Sequence, residues 1–442
     1  MESLRIVLAS DWYRPRTGGV ETSIYNLART LQKKGHEPII VTHQYNNHPA
    51  REGLDTDDGV IVVRFRVPLR EDQDDVTTSL KAAALLHDFL KHNAVDIVHG
   101  HSLVSPFAHM AVHVGKALLG IPTLITHHSL LKEEINFRRK ILLKIAAMKA
   151  DVVTAVSTVS AEDAEEILGR SVYVTHNCIP LQEWGGADPI FLEGDPVVLL
   201  VSRLLPRKNP LLAVRAFASL VKEAPSARMY VLGSGPMRGE IVELAARLGV
   251  DRKLVMVGSV DHDTVKGYMA AGDLLLLPSP KEAFPMAALE AQAYGVPVIG
   301  FGHTGVRDIV IDGVNGLLAE SEKDFVEKAV KLGADHSLRK AMSREALRIS
   351  ESFDCDAVYE REYSSAYKLA LDSCTAEKRY LLYKLFRLLK ADPVRPGEWC
   401  RERRDRYARV PPKRSGVPYI RRGARRAAIP VIGNEGNNRG YA

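Results

Sequence analysis

Two carboxylates eight residues apart, Glu282 and Glu290, stand in the segment LLLLPSPKEAFPMAALEAQAYGVPVIGFGHTGVRDIVI, residues 274–311. The apolar run 274–277 reads as a buried parallel strand, the Pro-rich 278–281 breaks it, and an Ala-rich helix follows from near Phe284. Free backbone N–H groups at that helix start, reinforced by the helix dipole, favour an anion such as a diphosphate. Glu282 then lies at the mouth of the anion site and Glu290 about two turns further on. Two acceptors at different depths can hold hydroxyls at the two ends of one long ligand, which suits a sugar joined to a nucleoside diphosphate. The plainer alternative is that Glu282 caps the helix and Glu290 is a solvated helix residue.

Other residues point to the same chemistry. Ser202, Arg203 and, five residues later, Lys208 follow the apolar run 197–201, and two cations beside a helix start can neutralise a diphosphate leaving group as its charge grows. The alternative is a pair of solvated cations. Gly18 and Gly19, in Arg16-Thr17-Gly18-Gly19-Val20, follow the first strand and let backbone approach a ligand at a helix N-terminus, although a tight turn needs the same residues. Gly233-Ser234-Gly235-Pro236 ends another strand and bounds the expected nucleotide pocket. It is not a dinucleotide fingerprint, because Arg238 stands where the third glycine belongs. His99, His101, His127 and His128 cluster at two strand ends, but no Cys or carboxylate spacing supports a metal there. The D-x-D pairs Asp55/Asp57 and Asp72/Asp74 read as solvated loop residues rather than metal ligands.

The two glutamates, with the following AQAYGVPVI, resemble the E-x7-E signature of the family-4 glycosyltransferases, and the resemblance covers about residues 4–372. It implies the GT-B fold, retention of anomeric configuration, a nucleotide-diphosphate sugar as donor, and no metal or other cofactor. By that match Glu282 touches the donor sugar and Glu290 the ribose. Arg203 and Lys208 match the family's R-x4-K pair, and Thr126, His127 and His128 match its T-x-H, which gives His128 a sugar contact and leaves His127 a structural role. Gly18, Gly19, Ser202, Gly235, Phe284, Pro285 and Met286 complete the implied donor-binding set. The chain departs from the family at Ala283, where a Gly is usual, and at Thr304-Gly305-Val306-Arg307-Asp308, where GG-x-x-E is usual.

A narrower resemblance is to the branch of the family that adds N-acetylglucosamine to phosphatidylinositol. It rests on Ser10-Asp11-Trp12-Tyr13, Gly18-Gly19-Val20-Glu21, Val41-Thr42-His43-Gln44-Tyr45, His99-Gly100-His101-Ser102 and His128-Ser129-Leu130. It implies UDP-N-acetylglucosamine as donor, an inositol phospholipid as acceptor, and Glu21 and His101 on the acceptor side. That branch carries a transmembrane segment near its C-terminus, whereas this chain has no run of 18 or more apolar residues.

The elements that must position these residues alternate between strand and helix, so an α/β fold is expected: two doubly wound, Rossmann-like domains facing across a cleft. Strands are predicted at 5–9, 38–42, 60–65, 96–99, 123–127, 152–156 and 172–175, then at 197–201, 228–232, 254–257, 274–277 and 296–300. Amphipathic helices are predicted at 20–34 and 76–90. The expected domains are 1–180 for the acceptor and 196–350 for the nucleotide sugar, joined by the irregular 180–196, with 351–372 a helix crossing back and 373–442 a basic extension. A chain of 442 residues, 46% hydrophobic, can bury two such cores.

Charge and cysteine usage set the surroundings. Residues 395–442 hold 13 Lys and Arg against 4 Asp and Glu, a net +9 within the chain's +6, leaving −3 for residues 1–394. The tail reads as disordered and suited to an anionic surface; without aromatic interleaving, nucleic acid is not the expected partner. Residues 378–390, KRYLLYKLFRLLK, form a basic amphipathic stretch of the interfacial kind. A second basic amphipathic stretch, 137–149, is expected to dock on its own domain. Four scattered cysteines, with no signal peptide at the N-terminus, indicate a reducing cytosol, with the enzyme peripheral on the cytoplasmic membrane face. A glycosyltransferase with a soluble or polysaccharide acceptor, a nucleotide-sugar epimerase on the same fold and a non-catalytic binder of anionic surfaces are the competing readings. Partner subunits are undetermined.

Overall fold

The computed structural model describes residues 2–16, 18–43, 53–65, 80–131, 137–184 and 186–373. The Asp72/Asp74 pair, the stretch 378–390 and the basic tail lie outside the described residues.

The first half opens with β1 (Arg5–Ala9), α1 (Gly19–Lys33), β2 (Glu37–His43), β3 (Gly53–Asp57) and β4 (Val60–Phe65). It continues through α2 (Leu80–His92), β5 (Ile97–His101), α3 (Pro106–His113), β6 (Thr123–His127) and α4 (Phe137–Ala147). The half ends with β7 (Val152–Ala155), α5 (Thr158–Leu168) and β8 (Tyr173–Val174). The eight strands lie in the order β3-β4-β2-β1-β5-β6-β7-β8, all parallel except the β3–β4 pair. Every residue of β1 and of β6 is buried, as expected of central parallel strands covered on both faces.

A short turn of helix, α6 (Leu181–Trp184), leads to the second half: β9 (Val197–Val201), α7 (Pro210–Glu223), β10 (Arg228–Leu232), α8 (Arg238–Arg247) and β11 (Leu254–Gly258). Then come α9 (His262–Ala271), β12 (Leu274–Leu276), α10 (Met286–Ala293), β13 (Val298–Phe301), β14 (Gly316–Ala319), α11 (Glu322–Ala334), α12 (His336–Ser350) and α13 (Cys355–Val358). The six strands run parallel in the order β11-β10-β9-β12-β13-β14. The chain then returns: Val358, Tyr359, Tyr363 and Tyr367 are buried in the first half's core with Ile6, Leu8 and Tyr13.

The doubly wound α/β class is as expected, and four local expectations are corrected. Asp55 and Asp57 are on an antiparallel edge strand, not in a loop, because Asp58 and Gly59, both at positive φ, turn β3 into β4 as a hairpin. A sixth strand in the second sheet, β14, has no counterpart among the expected elements. Helix α10 begins at Met286 with Pro285 at its N-cap, so Glu290 is about one turn into it rather than two turns beyond Glu282. Cys178 and Cys355, 177 residues apart, are joined as a disulfide with Cα atoms 4.8 Å apart, a pairing that the scattered cysteines, read as those of a reducing cytosol, did not lead one to expect.

Candidate active site

Strand order reverses direction at two places, between β1 and β5 in the first sheet and between β9 and β12 in the second. At such a point the loops leaving the carboxyl ends of adjacent strands run apart and open a crevice. The candidate residues leave those strands: Gly18 and Gly19 after β1, His101 at the end of β5, Ser202, Arg203 and Lys208 after β9, and Glu282 after β12. His128 follows the neighbouring β6.

On the first half, α1 starts without a side-chain cap, and Glu21, in its first turn, folds back over Gly18. A Cβ at Gly18 would lie 2.5 Å from Glu21 Oε2. Arg16 Nε is 3.4 Å from Glu21 Oε1, and the Arg16 guanidinium stacks 3.6 Å above the Trp12 ring. Burial raises the Glu21 pKa, with its own backbone N–H, Arg16 and Arg203 pulling against it. Arg203 belongs to the second half, so this field already spans the cleft.

On the second half, Lys208 Nζ is ion-paired with Glu282 Oε1, both side chains nearly buried. Burial and the like charges of Arg207 and Arg16 press Arg203 down, against the pull of Glu21 and Glu282. Four cations therefore face two carboxylates, an excess suited to an added anion. Ser202 Oγ is buried with no hydrogen-bond partner among the described residues, as expected of a group that a ligand completes. Gly235, at φ +157, lets the β10 loop lie on the Arg203 loop: a Cβ there would meet Leu204 O at 2.3 Å. Gly305 is equally confined, its N–H donating to Glu282 O at 2.7 Å and its missing Cβ leaving room for Ala283 O.

Helix α10 and its N-terminal flank carry the rest of the expected donor set. Met286 is half-buried, its Cγ 4.0 Å from where a Cβ on Gly19 would be, so the Gly18–Gly19 loop and α10 meet across the cleft. Glu290 is half-buried, has no ion pair among the described residues, and burial pushes its carboxyl up to about 7. Phe284 differs from its neighbours: its ring packs 5.8 Å from His176 and 6.0 Å from Phe353, in the core rather than in the cleft.

The histidines form one connected group. His101 Nδ1 is 3.1 Å from His128 Nε2, and His99 Nδ1 and Nε2 reach Tyr367 Oη at 3.0 Å and Thr126 Oγ1 at 2.7 Å. Burial, then the neighbouring rings, lowers the pKa of His99, His101 and His128 well below the usual imidazole value, so all three are neutral near pH 7. His127 is fully buried, its Nε2 3.5 Å from Asp163 Oδ2. Among the described residues no three His, Cys, Asp or Glu side chains converge as metal ligands do. A cavity of about 460 Å³ joins Leu130, just past His128, to Lys281, just before Glu282.

Sequence reasoning missed one node. His176 N and Nδ1 lie 2.6 and 2.7 Å from the Glu362 carboxylate, and its Nε2 3.1 Å from Asp308 Oδ2. Asp308 also accepts from Thr158 N–H and Oγ–H at 2.7 and 2.5 Å. Burial alone lowers the His176 pKa, but the two carboxylates hold it up at about 9. This cation ties β8, the turn after β13 and the returning C-terminal segment together. Its partners are 132 and 186 residues away, with no local pattern to reveal them.

Residues 17–183 match the family described as Glycosyltransferase Family 4, and residues 188–348 that described as Glycosyl transferases group 1. The two matches take in most of the chain, which belongs to the family-4 glycosyltransferases of GT-B fold. It is therefore a glycosyltransferase enzyme. Within that class, a phosphatidylinositol N-acetylglucosaminyltransferase subunit of Homo sapiens is 28% identical over 73% of this chain and 67% of its own length. The N-acetyl-alpha-D-glucosaminyl L-malate synthase of Bacillus anthracis is 26% identical over 80% of this chain and 94% of its own. Among solved structures, Anabaena HepE in complex with UDP superposes with a TM-score of 0.63 at 18% identity, covering 82% of this chain and 99% of that one. No helix among the described residues is long and apolar enough to cross a membrane.

Proposed function

We propose that this enzyme transfers N-acetylglucosamine from UDP-N-acetylglucosamine, with retention of configuration, to a membrane lipid, an inositol phospholipid. The observation that carries the proposal is the excess of cations (Arg16, Arg203, Arg207 and Lys208) over carboxylates where the two switch-point crevices face each other. Relatives named for N-acetylglucosaminyl transfer support the sugar, the human one supports the lipid, and a UDP-bound neighbour supports the nucleotide.

In this reading the diphosphate settles between Arg203 and Lys208, displacing part of the Lys208–Glu282 pair. Cations already held in place stabilise the charge that grows as the glycosidic bond breaks, and no metal is needed. Glu282, released from Lys208, accepts hydroxyls of the sugar; His128, neutral and hydrogen-bonded to His101, orients it; Glu290 accepts a ribose hydroxyl. With no nucleophile assigned, the acceptor hydroxyl attacks the face the leaving group departs from, and the leaving phosphate takes its proton. Glu21 faces the acceptor; His101, expected there from the sequence, is fully buried and acts through its contact with His128. Residues 378–390 and the basic tail, outside the described residues, are proposed to hold the enzyme on the cytoplasmic membrane face.

The test is release of nucleoside diphosphate from UDP-, GDP- and ADP-sugars, with and without liposomes containing phosphatidylinositol. UDP release from UDP-N-acetylglucosamine that depends on the inositol lipid is expected. Release that needs only a soluble hydroxy acid or sugar would replace the lipid acceptor, and donor conversion without any acceptor would favour the epimerase reading.

A further inference from the structure

Helix α4 begins nine residues past His128 and is expected from its sequence to dock on its own domain. It does so on one face, where Leu143 and Ala147 are 6% and 1% exposed. The opposite side is not covered: Ile141, Ile145 and Met148 are 41%, 56% and 71% exposed. Positions 141, 145 and 148 are spaced i, i+4, i+7, so they form a single stripe. The helix sequence, FRRKILLKIAA, contains four cations and no acid, and Lys149 extends the set.

Three large apolar side chains left in water on a helix whose own charged side chains are all cations call for a partner that is apolar within and anionic at its surface. A protein partner fits less well, because lysine is depleted from protein interfaces. We propose that α4 is a membrane-docking helix, lying in the interfacial plane of an anionic leaflet. Ile141, Ile145 and Met148 enter the acyl region, and Lys140, Lys144 and Lys149 lie among the headgroups. The proposal deepens the lipid-acceptor reading and rests on it for its purpose: a docked α4 turns the His128 side of the cleft toward the lipid.

The experiment uses the full chain with vesicles of phosphatidylcholine, alone or with phosphatidylserine. Ile145→Asp/Met148→Asp changes two well-exposed positions, and its partition onto the mixed vesicles is expected to fall by about tenfold or more. Lys140→Gln and Lys144→Gln are each expected to lower it by about fivefold, and to lessen the preference for phosphatidylserine. In a Met148→Trp variant the added indole should shift its emission to the blue on the mixed vesicles only. Wild-type partition of the Asp variant, or an indole emission that does not move, would overturn the proposal. So would sedimentation of the wild-type chain as a dimer that the Asp variant dissociates, since the stripe would then face a second copy. Vesicle binding is read without donor or acceptor, so loss of the lipid-acceptor reading and loss of the docking helix give different results.

Discussion

Lys208→Ala separates two things that one side chain does. The Lys208 and Glu282 side chains are 17% and 11% exposed, so removing the ammonium strands a nearly buried carboxylate. Breaking a buried pair costs about 3–5 kcal/mol, and the residual exposure puts this one near the lower figure. In a domain of this size that is roughly 6–12 °C of melting temperature. Lys208→Ala/Glu282→Gln removes the stranded charge and should recover most of the loss. Turnover follows a different ledger. If Lys208 stabilises the departing diphosphate, its loss removes about 2.7–4 kcal/mol from the transition state, a hundred- to thousandfold drop in kcat. The assay is nucleoside diphosphate release at saturating donor, well below the variant's own melting temperature, with melting curves on the same preparations. A folded Lys208→Ala enzyme turning over within a few-fold of wild type would refute the reasoning. The residue would then be a structural partner of Glu282 only.

Three other perturbations test separate parts of the site. Gly305→Ala would put a Cβ 1.8 Å from Ala283 O, so the Glu282 loop must move; about 1–3 kcal/mol of stability and about a hundredfold of turnover should go, and an unchanged kcat would mean the loop position is immaterial. Because the Glu290 carboxyl is raised from 4.5 to about 7, its contribution to stability is full below pH 4.5 and falls away as pH climbs through 7. Glu290→Gln should flatten that slope in urea titrations across this window, and a parallel pair of curves would show that the group titrates normally. His176, raised from 6.5 to about 9, contributes stability that is full below pH 6.5 and is lost as pH rises through 9. The melting difference between wild type and His176→Gln should therefore shrink across that range, and a constant difference would mean the charge on His176 does not hold the halves together.

What is legible in the sequence is what local pattern encodes. Parallel strands buried on both faces read as short apolar runs, so the expected bounds of β1, β4, β6, β9 and β10 are those observed, and the loops bearing Arg203 and Glu282 follow from the strand ends. Short elements that depend on a partner are harder. Edge strand β3 carries Asp55 and Asp57, which speak for a loop until the Asp58–Gly59 turn is weighed against them. Helix α10 cannot begin before Pro285, which is why Glu290 comes a turn early. The contacts that set one half against the other are not legible at all. His176 meets Asp308 and Glu362, Cys178 meets Cys355, and Arg203 feels Glu21, each across a gap of more than a hundred residues. These contacts have no periodicity, because nothing between the partners has to repeat for them to meet. They nevertheless decide whether the cations of one half and the glycine loop of the other form one site. Asp308, where the family usually has Glu, shows the consequence: its shorter carboxylate still reaches His176 and caps Thr158, so at that position the substitution keeps the bridge between the halves.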